Sequence, residues 1–224
     1  MSKIPSISHN FTKYGLGFLK TRRGTLKVLL PVKWPFLTCW SLILCVSFAC
    51  THRVANLPKY DKVPPFTMTD SDGRSFNGSS LLGKVWVADF IYTSCPAACP
   101  MMSARMNRVH KEIAGLPDVR IVSFSVDPKD TPADLKAFGS RYGGATPDWI
   151  FLAGTAQIVH QIAFTTFHTG DILGKIEHST KFALVDKQGY IRGYYSSLAA
   201  EGDNESEEHG IPQLLQDLQT LRKD

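Results

Sequence analysis

Residues 84–92 (KVWVADFIY) carry one lysine, one aspartate and otherwise only apolar or aromatic side chains. A strand with one face in water alternates polar and apolar residues. A run this continuous suits a strand covered on both faces. Such a strand obliges the chain to supply a layer on each side of a sheet, which points to an α/β architecture. Residues 119–126 (VRIVSFSV) form a second run of the same kind. Between the two, residues 101–114 read as a helix. Residues 131–142 are a marked helix, with Thr131 as N-cap, Pro132 at the first helical position, Asp134 in the first turn and Gly143 after the end. A short strand at 149–152 and a helix at 155–164 follow.

The ends complete the plan. Residues 66–70, a turn at Ser71-Asp72-Gly73 and residues 74–76 predict a small N-terminal hairpin. Residues 181–185 and 190–194 flank Asp186-Lys187-Gln188-Gly189, a hairpin with a short loop. Residues 196–210 are acidic and contain glycine and serine, the composition of a mobile loop. Residues 211–221 put Ile211, Leu214, Leu215, Leu218 and Leu221 on one helical face. The expected fold is a mixed sheet flanked by helices, opening on a hairpin, with no internal repeat.

Charge separates a leader from this domain. Residues 1–50 contain seven basic residues and no acidic one, and the whole chain is +5, so the remainder is −2. Basic surface for nucleic acid is therefore excluded, because the excess lies in the leader. The basic stretch ends at Lys33, and residues 35–49 (PFLTCWSLILCVSFA) are free of charge. These fifteen residues fall short of the ~20 that span a bilayer but suit the core of an export signal. Ser47 and Ala49 stand at the small-residue positions an export peptidase needs, and Cys50 follows at once, as in bacterial lipoprotein signals. Ser47 departs from the leucine usual there. The expected organisation is a leader and membrane anchor over residues 1–50, a tether over 51–63 and one domain over 64–224 facing the extracytoplasmic side.

Five cysteines divide the same way. Cys39, Cys45 and Cys50 belong to the leader, so only Cys95 and Cys99 lie in the domain. In an oxidising compartment two thiols are expected to act as a pair. They sit in Thr93-Ser94-Cys95-Pro96-Ala97-Ala98-Cys99-Pro100, at the carboxyl end of the first buried strand, where open α/β sheets place their sites. Because a residue before proline avoids helical geometry, Pro100 is expected at the first helical position, with Cys99 beside it and Cys95 in the loop before. A helix N-terminus favours thiolate, the form that binds metals and attacks disulfides. Prolines on both sides suggest an open rim, unlike the shielded pocket of a thiol peroxidase.

His178 precedes the strand at 181–185. If that strand begins an antiparallel hairpin, its start falls on the edge where the parallel strands end, which sends His178 toward the cysteines. His168 is a reserve ligand from the same connection. Asp127 reaches the same edge but is explained equally well as a turn residue in Asp127-Pro128. Two thiolates and an imidazole favour Cu(I) and also suit Cu(II) or zinc.

Taken together these segments resemble the SCO/SenC family of copper-delivery and thiol–disulfide proteins. The resemblance runs from about Pro65 to Tyr194. It rests on Phe90-x-x-Thr93-x-Cys95-Pro96-x-x-Cys99-Pro100, on Ser125-Val126-Asp127-Pro128-x-Asp130-Thr131-Pro132, and on His178-Ser179-Thr180 before Leu184-Val185-Asp186. It implies a thioredoxin-like fold, copper held by Cys95, Cys99 and His178, and service to the subunit of cytochrome c oxidase that carries the binuclear copper centre. A thiol reductant or copper donor would act upstream, since the cysteines must be reduced to load metal. The competing expectation is a membrane-tethered reductase, which needs Cys95 and Cys99 but not His178.

Overall fold

The computed structural model describes residues 57–169, 180–198 and 210–224. The chain divides into two units, residues 1–51 and 52–224, and every described residue belongs to the second. The leader with Cys39, Cys45 and Cys50, the first part of the expected tether, His178 and most of the acidic loop lie outside the described residues.

The continuous apolar run becomes strand β3 (Val85–Ile91), in which every residue is buried. Its neighbour β4 (Val119–Ser125) pairs with it in parallel, Val87 opposite Ile121 and Ile91 opposite Ser125. Period-two alternation then sorts the side chains. Val85, Val87 and Ile91 join one core, while Trp86, Ala88 and Phe90 join the other. The first core is closed by α1 (Ala98–Glu112), α2 (Pro132–Arg141) and the terminal helix α4 (Ile211–Lys223). The second is closed by α3 (Ala156–Val159) and the π-helix that continues it, His160–Thr166.

The hairpin β1 (Thr67–Asp70) and β2 (Ser75–Asn77), the strand β5 (Trp149–Ala153), and the hairpin β6 (Lys181–Val185) and β7 (Ile191–Ser196) complete the sheet. Among the described residues the order is β2-β1-β5-β4-β3-β6-β7, with β6 antiparallel to β3. The mixed sheet covered on both faces is thus as expected from the sequence, and the N-terminal hairpin forms.

Local chemistry explains the boundaries. Thr131 caps α2 by accepting from the Asp134 N–H, and the Asp134 carboxylate accepts in return from the Thr131 N–H, a full capping box. Gly143, with φ of 79°, follows the helix end in the left-handed region. The helix expected at 155–164 does not stay α-helical. It passes into the π-helix, where Phe167 N–H reaches the Ile162 carbonyl at 3.0 Å and Thr166 Oγ1 donates to the Gln161 carbonyl at 2.9 Å.

The stretch expected as an aperiodic tether is held from residue 57 onward. Tyr60 N–H donates to the Ile191 carbonyl, Ile191 N–H to Asp61, and Val63 N–H to Gly189. Arg192 donates to the carbonyls of Pro58 and Leu57 at 2.7 and 2.8 Å. Backbone groups at the start of β7 that a sheet edge would leave open are satisfied in this way.

Candidate metal and redox centre

Strand β3 ends at Ile91, and the chain turns through Cys95, whose N–H donates to the Tyr92 carbonyl. Helix α1 then begins at Ala98, so Cys99 occupies its second position and Pro100 its third. The expectation that Pro100 would open the helix is corrected by two residues. Proline lacks a donor, but any N–H in the first turn has no intrahelical acceptor, so the ring costs no helix hydrogen bond at the third position. Burial of Cys99, Met102, Ser103 and Met106 on one face fixes the helix start instead.

The N-cap residue Ala97 offers no side-chain acceptor. The sulfur of Cys95 takes that part, accepting the Cys99 N–H at 3.3 Å. Burial alone would raise the Cys95 pKa. The backbone N–H groups of Cys99 and Ala97, with the Cys99 thiol and the Tyr92 side chain, outweigh burial and hold it below the ordinary thiol value. Cys99 behaves oppositely. Its deeper burial pushes its pKa up to about 12, against the Tyr92 N–H and reinforced by the charges of Cys95 and Asp89. The pair is one thiol poised to form a thiolate and one that holds its proton.

Both cysteines are free thiols, 6 % and 1 % exposed. The open rim read from the prolines is present in Pro96 and Ala97, which are exposed. The sulfurs lie beneath that rim, so the exposure argument against a shielded peroxidatic thiol loses its force.

Beneath the dithiol lies a residue that motif reading passed over. Asp89 is fully buried on the α1 side of β3, where its Oδ1 accepts from Ser123 Oγ at 2.5 Å. Ser123 Oγ in turn accepts from Trp149 Nε1 at 2.9 Å, while Asp89 Oδ2 has no hydrogen-bond partner among the described residues. Burial, only partly opposed by the Ser123 hydrogen bond, raises its pKa to about 7. The signal was available: a lone acid inside an otherwise apolar strand.

The other candidates separate. His168 Nε2 meets Asp61 Oδ2 at 2.9 Å, and among the described residues no group of three histidine, cysteine or acidic side chains converges as a metal site. His168 is therefore not brought to the cysteines. Asp127 does turn work, its Oδ1 accepting from Lys129 N–H and its carbonyl from Asp130 N–H.

The SCO1/SenC family model matches residues 54–208, a span that holds the sheet, both cysteines and His178. The chain belongs to the SCO1/SenC family. A SCO1 protein homolog of Bacillus subtilis is 37% identical over 166 residues, covering 70% of this chain and 83% of the relative. A SCO1/SenC family lipoprotein from Bacillus anthracis superposes with a TM-score of 0.62 at 32% identity, covering 75% of this chain and 98% of that one. BsSco, a member of the Sco family of cytochrome c oxidase assembly proteins with a disulfide switch, gives 0.61 at 32%, covering 75% and 96%. Sco proteins solved with copper bound share the fold at 24% identity or less. These likenesses confirm the thioredoxin-like Sco fold expected from the sequence.

Proposed function

We propose that this SCO1/SenC protein delivers copper to the binuclear copper centre of cytochrome c oxidase, with Cys95, Cys99 and His178 as the ligands of the metal it carries. The observation that carries the reading is the Cys95 sulfur lodged at the start of α1 with the Cys99 N–H on it at 3.3 Å. That placement makes a ready thiolate beside a second sulfur, a soft donor pair that favours Cu(I). Support for His178 is topological. Strand β6 starts at Lys181 and runs antiparallel to β3, so its first residue stands at the edge where β3 ends. His178 precedes it by three residues, a reach of roughly 10 Å. A soft, three-donor set lets copper pass stepwise to another thiolate site, and oxidation of the two cysteines to a disulfide removes the ligands.

A second reading, a thiol–disulfide reductase acting on the same target, is favoured by the unequal thiols. A lowered Cys95 suits attack on a disulfide, and Cys99 then resolves the mixed disulfide. The two readings separate on one residue. Anaerobic Cu(I) titration of the reduced chain should give one copper per chain, and His178→Ala should bind far more weakly while its dithiol still cycles. Oxidase assembly at wild-type level by His178→Ala, with assembly lost in Cys95→Ser, would leave the reductase standing.

The location proposed is the extracytoplasmic face of a membrane, held by a lipid on Cys50. The support is Ser47-Phe48-Ala49-Cys50 together with the lipoprotein relative. Among the described residues no helix is long and apolar enough to cross a membrane. Mass spectrometry of the mature chain should find the lipid adduct on Cys50, and an unmodified Cys50 in an uncleaved chain would discard this anchor.

A further inference from the structure

Thr93 stands two residues before Cys95 and is gripped by an acid from a distant loop. Asp130 Oδ1 accepts from Thr93 Oγ1 at 2.6 Å, and Asp130 Oδ2 accepts from the Thr93 N–H at 3.0 Å and from Ser125 Oγ at 2.6 Å. We propose that Asp130 is a positioning residue of the dithiol centre, fixing through Thr93 where the Cys95 sulfur sits against the start of α1.

The clasp is braced on its own side. Asp130 N–H donates to the Asp127 carbonyl at 3.0 Å, and Lys129 N–H to Asp127 Oδ1 at 2.9 Å. The next residue, Thr131, is the N-cap of α2, and Ser125 is the last residue of β4. The carboxylate is thus carried between a strand end and a capped helix start, two rigid elements. Across from it, α1 is held by its buried face. Between the two anchors Ser94, Pro96 and Ala97 are exposed, and Cys95 is the one residue of the segment that turns inward. A carboxylate accepting three hydrogen bonds is a strong, directional restraint. It orients the loop so that the Cys99 N–H meets the Cys95 sulfur, the contact that stabilises the reduced centre.

The consequence is thermodynamic. The disulfide takes up two electrons and two protons to give the two thiols, and any restraint favouring the thiol geometry favours the reduced side. Without the clasp the reduced form loses its preorganised contact, and the disulfide gains.

The proposal rests on Cys95 and Cys99 being a working dithiol, and the test keeps the two apart. The full chain is equilibrated in dithiothreitol redox buffers of graded ratio, and free thiols are counted by alkylation and mass. Wild type should lose two thiols reversibly. Thr93→Val, which removes only the hydroxyl bond, should move the equilibrium toward the disulfide by about tenfold, equivalent to a potential about 30 mV more negative. Asp130→Ala should move it at least as far, and Thr93→Ser should return it to the wild-type value. Thr131→Ala, which weakens the neighbouring helix cap but leaves all three bonds to the Asp130 carboxylate, should move the potential far less than Thr93→Val.

Equal potentials in wild type, Thr93→Val and Asp130→Ala would overturn the clasp while leaving the dithiol reading intact. A shift in Thr131→Ala as large as in Thr93→Val would also overturn it, since general loosening of the loop would then suffice. A wild-type chain that never loses two thiols would overturn both readings together.

Discussion

The two faces of the central sheet are cut from the same strands and differ in chemistry. On β3 and β4, Trp86, Ala88, Phe90, Val122 and Phe124 point to one side and pack with Phe66 and Phe167 into an aromatic core. On the other side Val87, Ile91 and Ile121 are interrupted by Asp89, Ser123 and Ser125, all buried. The dithiol lies on that second side. A core that hosts polar groups must satisfy them or lose stability, and here one Asp89 oxygen has no partner among the described residues. The aromatic face is filled by apolar side chains alone, and the polar face holds the two thiols and a buried acid at some expense of stability.

The largest test of this contrast is on the aromatic side. Phe124 is 2 % exposed, and its ring lies 5.4 Å from that of Phe90, 5.6 Å from Phe66, 6.2 Å from Phe167 and 6.3 Å from Trp86. Phe124→Ala should destabilise the domain by about 3–5 kcal/mol, read by urea unfolding. The fraction still folded should keep its reversible dithiol. Loss of thiol cycling in chains that remain folded would break the division of labour between the faces.

Next in size is Asp89→Asn, on the polar side. The folded-state pKa of about 7 lies above the ordinary value of 3.8. Below pH 4 both folded and unfolded chains are protonated at this group, and its contribution is fully present. As pH rises from 4 to 7 the unfolded chain releases the proton first, so wild-type stability falls, and above 7 the loss is complete. Asparagine has no such slope. The stability of Asp89→Asn relative to wild type should therefore rise by about 3–4 kcal/mol between pH 4 and pH 8. Parallel stability curves for the two proteins would show that the buried acid imposes no ionisation penalty.

A smaller effect is expected at the far end of the polar face, where Tyr195 Oη donates to Asp217 Oδ2 at 2.7 Å inside the contact between β7 and α4. Tyr195→Phe leaves a buried carboxylate short of one donor, although Gln213 Nε2 still reaches its other oxygen at 2.8 Å. The loss should be about 1–3 kcal/mol. Thermal melting measures it, and an unchanged midpoint would mean that Asp217 finds a replacement partner.

What could be read from the sequence follows the same contrast. Two-sided burial leaves a trace in composition, so residues 84–92 and 119–126 were legible as β3 and β4. Caps leave a trace in order, so Thr131, Pro132 and Gly143 bounded α2. The cysteine pair was legible from its spacing and its place after β3. Pro100 misled because its restriction on Cys99 is a local preference, and burial of one α1 face overrode it. The docking of residues 57–63 uses backbone groups, which any sequence possesses. The grip of Asp130 on Thr93 joins positions 37 apart, and nothing in either segment alone announces the other. Asp89 showed itself only as an exception within its strand.

The smallest effect sharpens the comparison between holding the fold and shaping the site. Thr131 Oγ1 accepts from the Asp134 N–H at 3.2 Å and donates to its carboxylate at 2.6 Å, with the box largely in solvent. Thr131→Ala should lower stability by about 1 kcal/mol, the usual worth of an N-cap. The Thr131 hydroxyl and the Thr131 N–H, both donating to Asp134, hold its carboxyl below the ordinary carboxylate value. The capping contribution should accordingly be present at neutral pH and fade as acid protonates Asp134. Because Thr131 follows Asp130 directly, the variant loosens the same loop from its helix side while leaving the carboxylate on Thr93 untouched. Chemical denaturation should show the loss of stability, with Cu(I) titration endpoints at wild-type stoichiometry. A variant of normal stability that bound less copper would mean that the cap, and not the aromatic face or the clasp, sets the geometry of the centre.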